Sequence, residues 1–363
     1  MEKYNNNKIF FGIDLIKCLA TIFVVFVHAY LYSQFYNTKI DGGFSFMLIF
    51  IREFLICCVP LFMITTGYLQ KNTEINSKYY SKIKKILVAY FSISVITAIY
   101  RKLYLNRSMS LFSLFYNIFN YTTIGSAWYI EMYIGLFLLI PFLNILYNNI
   151  KLQKQKILLI ITLFFLTSVS STTAYMKIGK ISFDIFPNWW VVLYPIFYFY
   201  IGRYIREYRP NINKVINVII LLSSVFITSF LAYFYLHNLS YDDIGIMDYN
   251  GVPIVLNSVL IFLLLYNVNI NGTKIKGMCR KISEKSLNIY LFAYIYENIF
   301  YSFIFKTINV KGYTKFIVAI CIVAPIVFIC SLISSFVLQF FINLFSKIIN
   351  YFVVKHKKKY NLH

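Results

Sequence analysis

Charged side chains are scarce in this sequence: they make up 13% of the 363 residues, whereas 60% of the residues are hydrophobic. Soluble globular domains carry about 25% charged residues on average, so a soluble domain is excluded and a polytopic membrane protein is indicated. Acidic residues are rarer still, with 13 Asp and Glu against 35 Lys and Arg. The basic residues stand in short clusters between apolar runs, which is typical of membrane-protein loops, so no nucleic-acid partner is expected.

Metal-ligand arrays are also lacking. The chain has four histidines and six cysteines, and no cysteine stands in a zinc-type spacing with a histidine. Because the cysteines lie mostly within apolar segments, we expect free buried thiols and no metal site. The sequence shows no repeat period, no appended soluble domain and no convincing cleavable signal peptide.

Apolar runs of membrane-crossing length are abundant instead. They predict an all-α polytopic integral membrane protein, one transmembrane domain over residues 1–363 with a short basic tail at 347–363. A shorter apolar stretch, Phe112–Thr123, is predicted to be a re-entrant or surface helix. About ten transmembrane helices are predicted, at 10–32, 46–69, 83–100, 128–147, 157–175, 189–205, 215–236, 252–268, 286–305 and 316–346.

The distribution of Lys and Arg predicts the orientation of these spans. With ten spans and a cytoplasmic N-terminus, most of the 35 basic residues fall on the cytoplasmic side, and Lys17 and Arg52 fall inside spans. Asp242, Asp243 and Asp248 then share one outer loop. Both termini are therefore expected in the cytoplasm. The basic residues left on the outer side are Lys39, Arg101, Lys102, Arg107, Lys177, Lys180, Lys306, Lys311 and Lys315.

The first span carries a polar stripe in an otherwise apolar helix. At 100° per residue, Asp14, Lys17, Thr21 and His28 fall within an arc of about 60°. Ionisable groups inside a membrane are costly unless they face protein or a wet cavity. Two interpretations stay open: Asp14 and Lys17 pair and merely neutralise each other while His28 caps the span, or the stripe lines a functional path.

Other polar residues fall at two depths of the predicted spans. The tryptophans among them also fit an ordinary interfacial aromatic belt, and the basic residues also fit plain positive-inside charge. The outer layer contains His28, Arg52, Glu53, Trp128, Glu131, Asn188, Trp189, Trp190 and Glu297. The inner layer contains Asp14, Lys17, Lys82, Lys85, Arg203 and Ser286.

Five segments in order resemble motifs of acyltransferase family 3, bacterial membrane proteins that O-acylate surface glycans. The resemblance covers about residues 10–345. In the first segment a basic residue, Lys17, is followed after ten residues by His28, as in the opening signature of that family. The segments are IDLIKCLATIFVVFVH (13–28), VPLFMITTGYL (59–69), KIKKILVAY (82–90), AWYIEMYIGLFLLIPFL (127–143) and SLNIYLFAY (286–294).

The resemblance implies a membrane O-acyltransferase in a bacterial plasma membrane. Its co-substrate would be cytoplasmic acyl-CoA, acetyl-CoA or succinyl-CoA, with no permanently bound cofactor. Its acceptor would be a hydroxyl of a surface polysaccharide, wall sugar or lipid-linked sugar, with glycan synthesis machinery as an expected partner. Imidazole suits the general base that a sugar hydroxyl requires.

Site roles follow from the resemblance and from depth. The catalytic candidates are His28, Glu131 and Arg52, the last two orienting His28 or stabilising developing charge. The donor path would use Asp14, Lys17, Lys82, Lys85, Arg203, Ser286 and Tyr290. The acceptor pocket would use Trp128, Tyr68 and Glu297.

The sequence departs from the family pattern at several positions. Lysine replaces the commoner arginine at 17, 82 and 85, which keeps the charge but loses the bidentate guanidinium. Ala293 stands where the family often has histidine. Two other functions therefore stay open: a polysaccharide exporter or flippase without acyl transfer, and a catalytically inactive sensor or interaction protein. A transporter would be expected to show inverted repeats with broken spans, which the sequence does not clearly have.

Overall fold

The computed structural model describes residues 11–105, 110–175, 177–178, 181–182, 187–241, 248–308 and 312–359. Its described part is mostly helical, with one antiparallel hairpin of strands β1 (Lys177–Ile178) and β2 (Ile181–Ser182). The α-helices are α1 (Phe11–Tyr32), α2 (Gly42–Leu55), α3 (Cys58–Leu69), α4 (Ser77–Tyr80), α5 (Ile83–Tyr104), α6 (Leu111–Phe119), α7 (Trp128–Asn149), α8 (Gln153–Phe164), α9 (Ser170–Tyr175), α10 (Tyr194–Tyr208), α11 (Lys214–Leu236), α12 (Val252–Leu265), α13 (Thr273–Ile308), α14 (Tyr313–Val318) and α15 (Ala324–Lys359).

The expected all-α polytopic membrane fold is confirmed. Three predicted spans, 189–205, 252–268 and 286–305, fall on the helices α10, α12 and α13. By length and apolar composition alone, these three helices do not qualify as membrane-crossing segments. The count of ten and the cytoplasmic termini stay predictions. Within the described residues, seven segments are long and apolar enough to cross a membrane: Phe11–Tyr32, Gly42–Leu69, Ser77–Tyr104, Trp128–Asn149, Gln153–Thr172, Lys214–Leu236 and Thr314–Ile348.

Several predicted spans are interrupted helices. The second one breaks between α2 and α3, at Ile56 and Cys57. Wider π-helical turns at Phe165–Val169 and Ala319–Val323 join α8 to α9 and α14 to α15. The short stretch expected to be a re-entrant or surface helix forms α6, in which Ile118 is the one buried residue, so α6 lies on the surface of the bundle.

Glycines allow a close helix crossing in the bundle. α10 packs along α3, and each helix contributes one glycine to the crossing. A Cβ atom at Gly67 would overlap the carbonyl oxygen of Phe199, and one at Gly202 would overlap that of Ile64. Small residues at such crossings let two backbones approach directly, which is a common way for membrane helices to associate.

The lipid-facing surface is apolar. On α11, one side packs on α2 and α12, and the other side exposes large aliphatic and aromatic residues such as Ile219, Phe226 and Phe234. An apolar surface of this extent would be unstable in water but suits a hydrocarbon solvent. α1 occupies the interior, in contact with α3, α13 and α15, so its polar stripe faces protein.

Candidate active site

A cavity of about 360 Å³ lies between α1, α3, α7 and α13. Positions 17, 24 and 28 of α1 lie on one face of that helix at 100° per residue, and all three line the cavity. The polar stripe of α1 therefore faces the cavity. Its lining residues are Lys17, Val24, Val27, His28, Cys58, Val59, Phe62, Thr65, Thr66, Leu69, Gln70, Ile86, Trp128, Tyr129, Tyr133, Tyr249, Ser283, Glu284, Ser286, Leu287 and Tyr290.

His28 pairs with Glu297 of α13 at one end of this cavity. The distance from His28 Nδ1 to Glu297 Oε1 is 2.7 Å, and the side chain of Glu297 is 1% exposed while that of His28 is 17% exposed. With Glu297 ionised and His28 neutral, Nδ1 donates its proton to Glu297 and Nε2 is left as the acceptor. That arrangement is the one a histidine needs to act as a general base.

Lys17 lines the other end of the cavity, eleven residues and about 16 Å along α1 from His28. The Asp14–Lys17 ion pair, one of the two interpretations that the sequence left open, is not among the ion pairs formed by the described residues. Asp14 Oδ1 instead accepts a hydrogen bond of 2.8 Å from Ser283 Oγ, a residue that also lines the cavity. α13, packed on α1, therefore supplies the hydrogen-bonding partner of Asp14.

Aromatic side chains line the cavity between α1 and α7. The Tyr290 ring lies 6.3 Å from the His28 ring and 5.7 Å from the Tyr129 ring, centroid to centroid. The Tyr290 hydroxyl donates to the carbonyl oxygen of Ser126. Trp128 and Tyr249 lie beside them with ring centroids 5.4 Å apart. Burial raises the pKa of the Tyr249 hydroxyl well above its usual range, so this group stays protonated.

The structure brings together seven of the residues singled out from the sequence. Two of them reach the site through one hydrogen bond: Asp14 through Ser283, and Glu297 through His28. The remaining five line the cavity directly: Lys17, His28, Trp128, Ser286 and Tyr290.

Glu131 and Arg52 lie outside the cavity lining, and neither is the hydrogen-bonding partner of His28. Glu131 is exposed. Tyr129 and Tyr133 lie on the face of α7 that lines the cavity, and Glu131, two positions after Tyr129, points about 200° away from Tyr129 around the helix. Arg52 is buried against two tyrosines, donating to the Tyr36 hydroxyl at 3.1 Å and the Tyr241 hydroxyl at 2.9 Å. The expectation that one of them orients His28 is corrected: Glu297 holds that position.

Two other expected site residues also lie outside the lining. Arg203 is fully buried, donates to Asn148 Oδ1 at 2.7 Å and packs over the Tyr147 ring. The Tyr68 hydroxyl accepts a hydrogen bond from Arg206, whose guanidinium covers its ring. Both positions serve the packing of α10 against its neighbours, so neither faces the cavity that holds His28.

Lys82 and Lys85 are exposed residues at the start of α5 and do not line the cavity. The Lys82 ammonium lies 5.7 Å from the centroid of the Tyr79 ring. Their position is compatible with plain positive charge in a loop, which the sequence left open.

Sequence reasoning missed Tyr129, Tyr133, Tyr249 and Ser283 as lining residues. The first two recur with helical spacing in α7, beside Trp128, and that spacing was a usable signal. No local pattern singles out Tyr249 or Ser283, because their places depend on how distant segments pack. Glu297 was expected in the acceptor pocket and not as the partner of a histidine 269 positions away.

Comparison with protein-family models gave a match over most of the chain. The family model described as an acyltransferase domain, that of acyltransferase family 3, matches residues 10–336 of the chain. The match includes Lys17, His28 and Glu297. Comparison with curated proteins and with solved structures gave no match.

Proposed function

The chain belongs to acyltransferase family 3 and is a multi-pass membrane acyltransferase, and from this premise we propose that it transfers an acetyl or succinyl group from acyl-CoA to a sugar hydroxyl. The acceptor is a cell-surface polysaccharide, a wall sugar or a lipid-linked precursor of one. The donor enters from the cytoplasm, and the membrane is a bacterial plasma membrane. The observation that carries the proposal is the His28–Glu297 pair at one end of a cavity whose other end holds Lys17.

The cavity suits a donor that reaches across the protein. Lys17 lines this end of the cavity together with Glu284 and forms no ion pair among the described residues, so its ammonium can bind a phosphate of CoA there. Valines, Phe62 and Leu69 cover much of the wall between the two ends, and such a surface accepts the largely uncharged pantetheine arm. The thioester would then lie beside His28.

The chemical step uses His28 as the base. Nε2 of His28 takes the proton of the acceptor hydroxyl as its oxygen attacks the thioester carbonyl carbon. A C–O bond forms, the C–S bond breaks, and the proton passes from His28 to the leaving CoA thiolate, so the enzyme returns to its starting state. Glu297 keeps the proton on Nδ1 and stabilises the imidazolium between these two transfers.

Replacement of His28 tests this function. His28→Ala and His28→Gln should insert into the membrane and remain stable. The rate of acyl transfer should fall by about 10²–10⁴-fold, the usual cost of losing a positioned base, so the isolated glycan should carry almost no O-acyl groups. Mass spectrometry of the polysaccharide measures the acyl content per sugar. His237→Ala is the matched control, because His237 is exposed and does not line the cavity.

The same measurement separates the proposed function from a transporter. If the protein were a flippase, the His28 variants would lower the amount of surface glycan and leave the acyl content per sugar unchanged. Wild-type acyl content in His28→Ala would overturn the catalytic assignment.

A further inference from the structure

Four aromatic side chains continue from His28 along the cavity, each in contact with the next. The Tyr290 ring lies 6.3 Å from the His28 ring, centroid to centroid, and the Tyr129 ring lies 5.7 Å from that of Tyr290. The Trp128 ring is 6.2 Å from Tyr129, and the Tyr249 ring is 5.4 Å from Trp128. All of them line the cavity. Tyr290, Tyr129, Trp128 and Tyr249 therefore form an aromatic wall that connects to the proposed base.

The aromatic wall can be reached from outside the protein at Trp128. This side chain lines the cavity and is nevertheless 38% exposed. Trp128 is the first residue of α7, and Tyr249 lies three residues before the start of α12, so both stand where a helix meets a loop. In the predicted orientation these helix ends face outward, which is the side from which a surface glycan would arrive.

Trp128 differs in this respect from the other two tryptophans of the chain. Trp189 and Trp190 are exposed, and neither lines the cavity. An interfacial aromatic belt accounts for both of them. It does not account for the place of Trp128 in a cavity wall with His28.

Hydrogen bonds fix two of the rings where they line the cavity. The carbonyl oxygen of Tyr249 accepts a hydrogen bond of 2.6 Å from the Tyr198 hydroxyl, and the Tyr249 amide donates to Asp248 Oδ1 at 2.8 Å. The Tyr290 hydroxyl donates to the carbonyl oxygen of Ser126. Rings held in this way lose little freedom when a ligand binds to them.

We propose that the aromatic wall binds the acceptor, with a sugar ring of the glycan stacked on Trp128 and Tyr249 so that its hydroxyl reaches Nε2 of His28. One face of a pyranose ring presents C–H groups with partial positive charge, and the face of an aromatic ring is negative, so the two attract each other. An open-chain polyol has no such flat face. The inference rests on the proposed function and deepens it, since it names a cyclic sugar as the group that is recognised and the residues that recognise it.

Loss of the stacking rings should weaken acceptor binding without affecting the donor. Trp128→Ala and Tyr249→Ala should each raise KM roughly tenfold for the cell's own surface polysaccharide, freed of its O-acyl groups by mild alkali. KM for acetyl-CoA or succinyl-CoA, whichever the wild type uses, should stay unchanged. Trp128→Phe and Tyr249→Phe retain a ring and should lie close to wild type. Trp189→Ala is the matched control and should leave both KM values unchanged, because Trp189 does not line the cavity.

Tryptophan fluorescence tests the contact without relying on activity. The chain has three tryptophans, so Trp189→Phe/Trp190→Phe leaves Trp128 as the single reporter. Titration with oligosaccharide fragments of the same deacylated polysaccharide should give a saturable change in its emission. The midpoint should move to roughly tenfold higher concentration when Tyr249→Ala is added. A protein carrying Trp128→Phe/Trp190→Phe, in which Trp189 is the reporter, should show no change.

The outcomes separate this inference from the function beneath it. If both alanine variants keep the wild-type KM for the polysaccharide while His28→Ala loses acyl transfer, the wall does not bind the acceptor and the proposed function stands. A rise in KM for acyl-CoA in place of that for the polysaccharide would assign the wall to the donor and overturn the inference. Where an alanine variant fails to insert, the Trp128 titration decides, and an unchanged emission overturns the inference. Unchanged acyl transfer in His28→Ala would overturn the proposed function, whereas a saturable Trp128 signal in that variant would still support sugar binding at the wall.

Discussion

Glu297 is the most demanding single residue of the site, because it is a carboxylate buried between two helices of a membrane protein. Under the proposed reaction its charge has a use. With Glu297 ionised and His28 neutral, the pair carries one negative charge, and the proton taken from the acceptor turns it into a neutral ion pair. The carboxylate thus favours the state that follows proton transfer, where charge would otherwise develop in a low-dielectric site.

At this scale the sequence was informative about α1 and less so about its partners. Helical spacing alone placed Lys17 and His28 on one face, and both line the cavity. The same reasoning assigned Glu131 and Arg52 to the outer layer but could not tell which face each presents to the neighbouring helices. Glu297 and His28 are 269 positions apart, and no local pattern indicates that they touch.

Lys17 gives a prediction of its own. Its ammonium lines the cavity without an ion-pairing partner among the described residues, so Lys17→Met should raise KM for acyl-CoA roughly tenfold or more, the cost of one lost charge-assisted contact, with a smaller effect on kcat. Lys17→Arg should stay close to wild type, because the charge is retained. Initial rates at varied acyl-CoA concentration in reconstituted membranes provide the measurement.

Two controls define what Lys17 contributes. Lys84→Met removes an exposed charge of α5 that does not line the cavity and should leave KM unchanged. The double variant Asp14→Leu/Lys17→Leu should remain impaired. Recovery of normal KM in the double variant would mean that Lys17 only balances the charge of Asp14.

At the scale of elements, apolar run length predicted where helices occur but not where they break. The interruption at Ile56 and Cys57 lies within a continuous apolar stretch, and so do the two π-helical turns. Hydropathy contains no term for such features, since they arise where a packed neighbour or a shifted hydrogen bond displaces the backbone. The 36-residue α13 shows the opposite: its predicted span, 286–305, was only the apolar part of a longer helix that begins at Thr273.

The α3–α10 crossing yields a prediction about stability. Gly67→Ala and Gly202→Ala each introduce a methyl group onto a backbone carbonyl of the facing helix, so each should destabilise the protein by about 1–3 kcal/mol, the usual cost of overpacking. Gly135→Ala in α7 meets no atom within 4 Å and should be neutral or stabilising, because alanine favours helix more than glycine does. Thermal unfolding of the three variants in one detergent compares them directly, and equal melting temperatures would contradict the close crossing.

The whole molecule combines a stable frame with one cavity that has two chemically different ends. The backbones of α3 and α10 pack directly against each other at Gly67 and Gly202. α1 and α13 carry the residues at both ends of the cavity. The Lys17 end, which Glu284 also lines, and the imidazole end lie about 16 Å apart along one helix, so a charged donor and a hydroxyl acceptor can approach from opposite directions. That division requires the two ends to face opposite sides of the membrane.

The number of membrane crossings bears on whether the two ends of the cavity face opposite sides of the membrane. Whether that number is odd or even can be measured. Seven segments qualify on length and composition in the described part of the chain, and an odd number would put the termini on opposite sides. The three further predicted spans lie on α10, α12 and α13. Most residues of α10 are buried against protein and not exposed to lipid, so the low hydrophobicity of its sequence does not argue against α10 crossing the membrane. Its 15 residues and the six of the preceding turn together rise about 34 Å, enough for a hydrocarbon core.

Ten crossings therefore predict that both termini face the cytoplasm and that the loop at 242–248 faces outward, as the distribution of Lys and Arg also requires. A phosphatase fusion, active only outside the cytoplasm, should be inactive at Asn361 and active when inserted in that loop, which itself lies outside the described residues except at Asp248. A fluorescent fusion at the same two positions should give the reverse pattern. An active phosphatase at Asn361 would contradict a cytoplasmic C-terminus and the count of ten with a cytoplasmic N-terminus, and would contradict the assignment of the Lys17 and His28 ends as donor and acceptor sides.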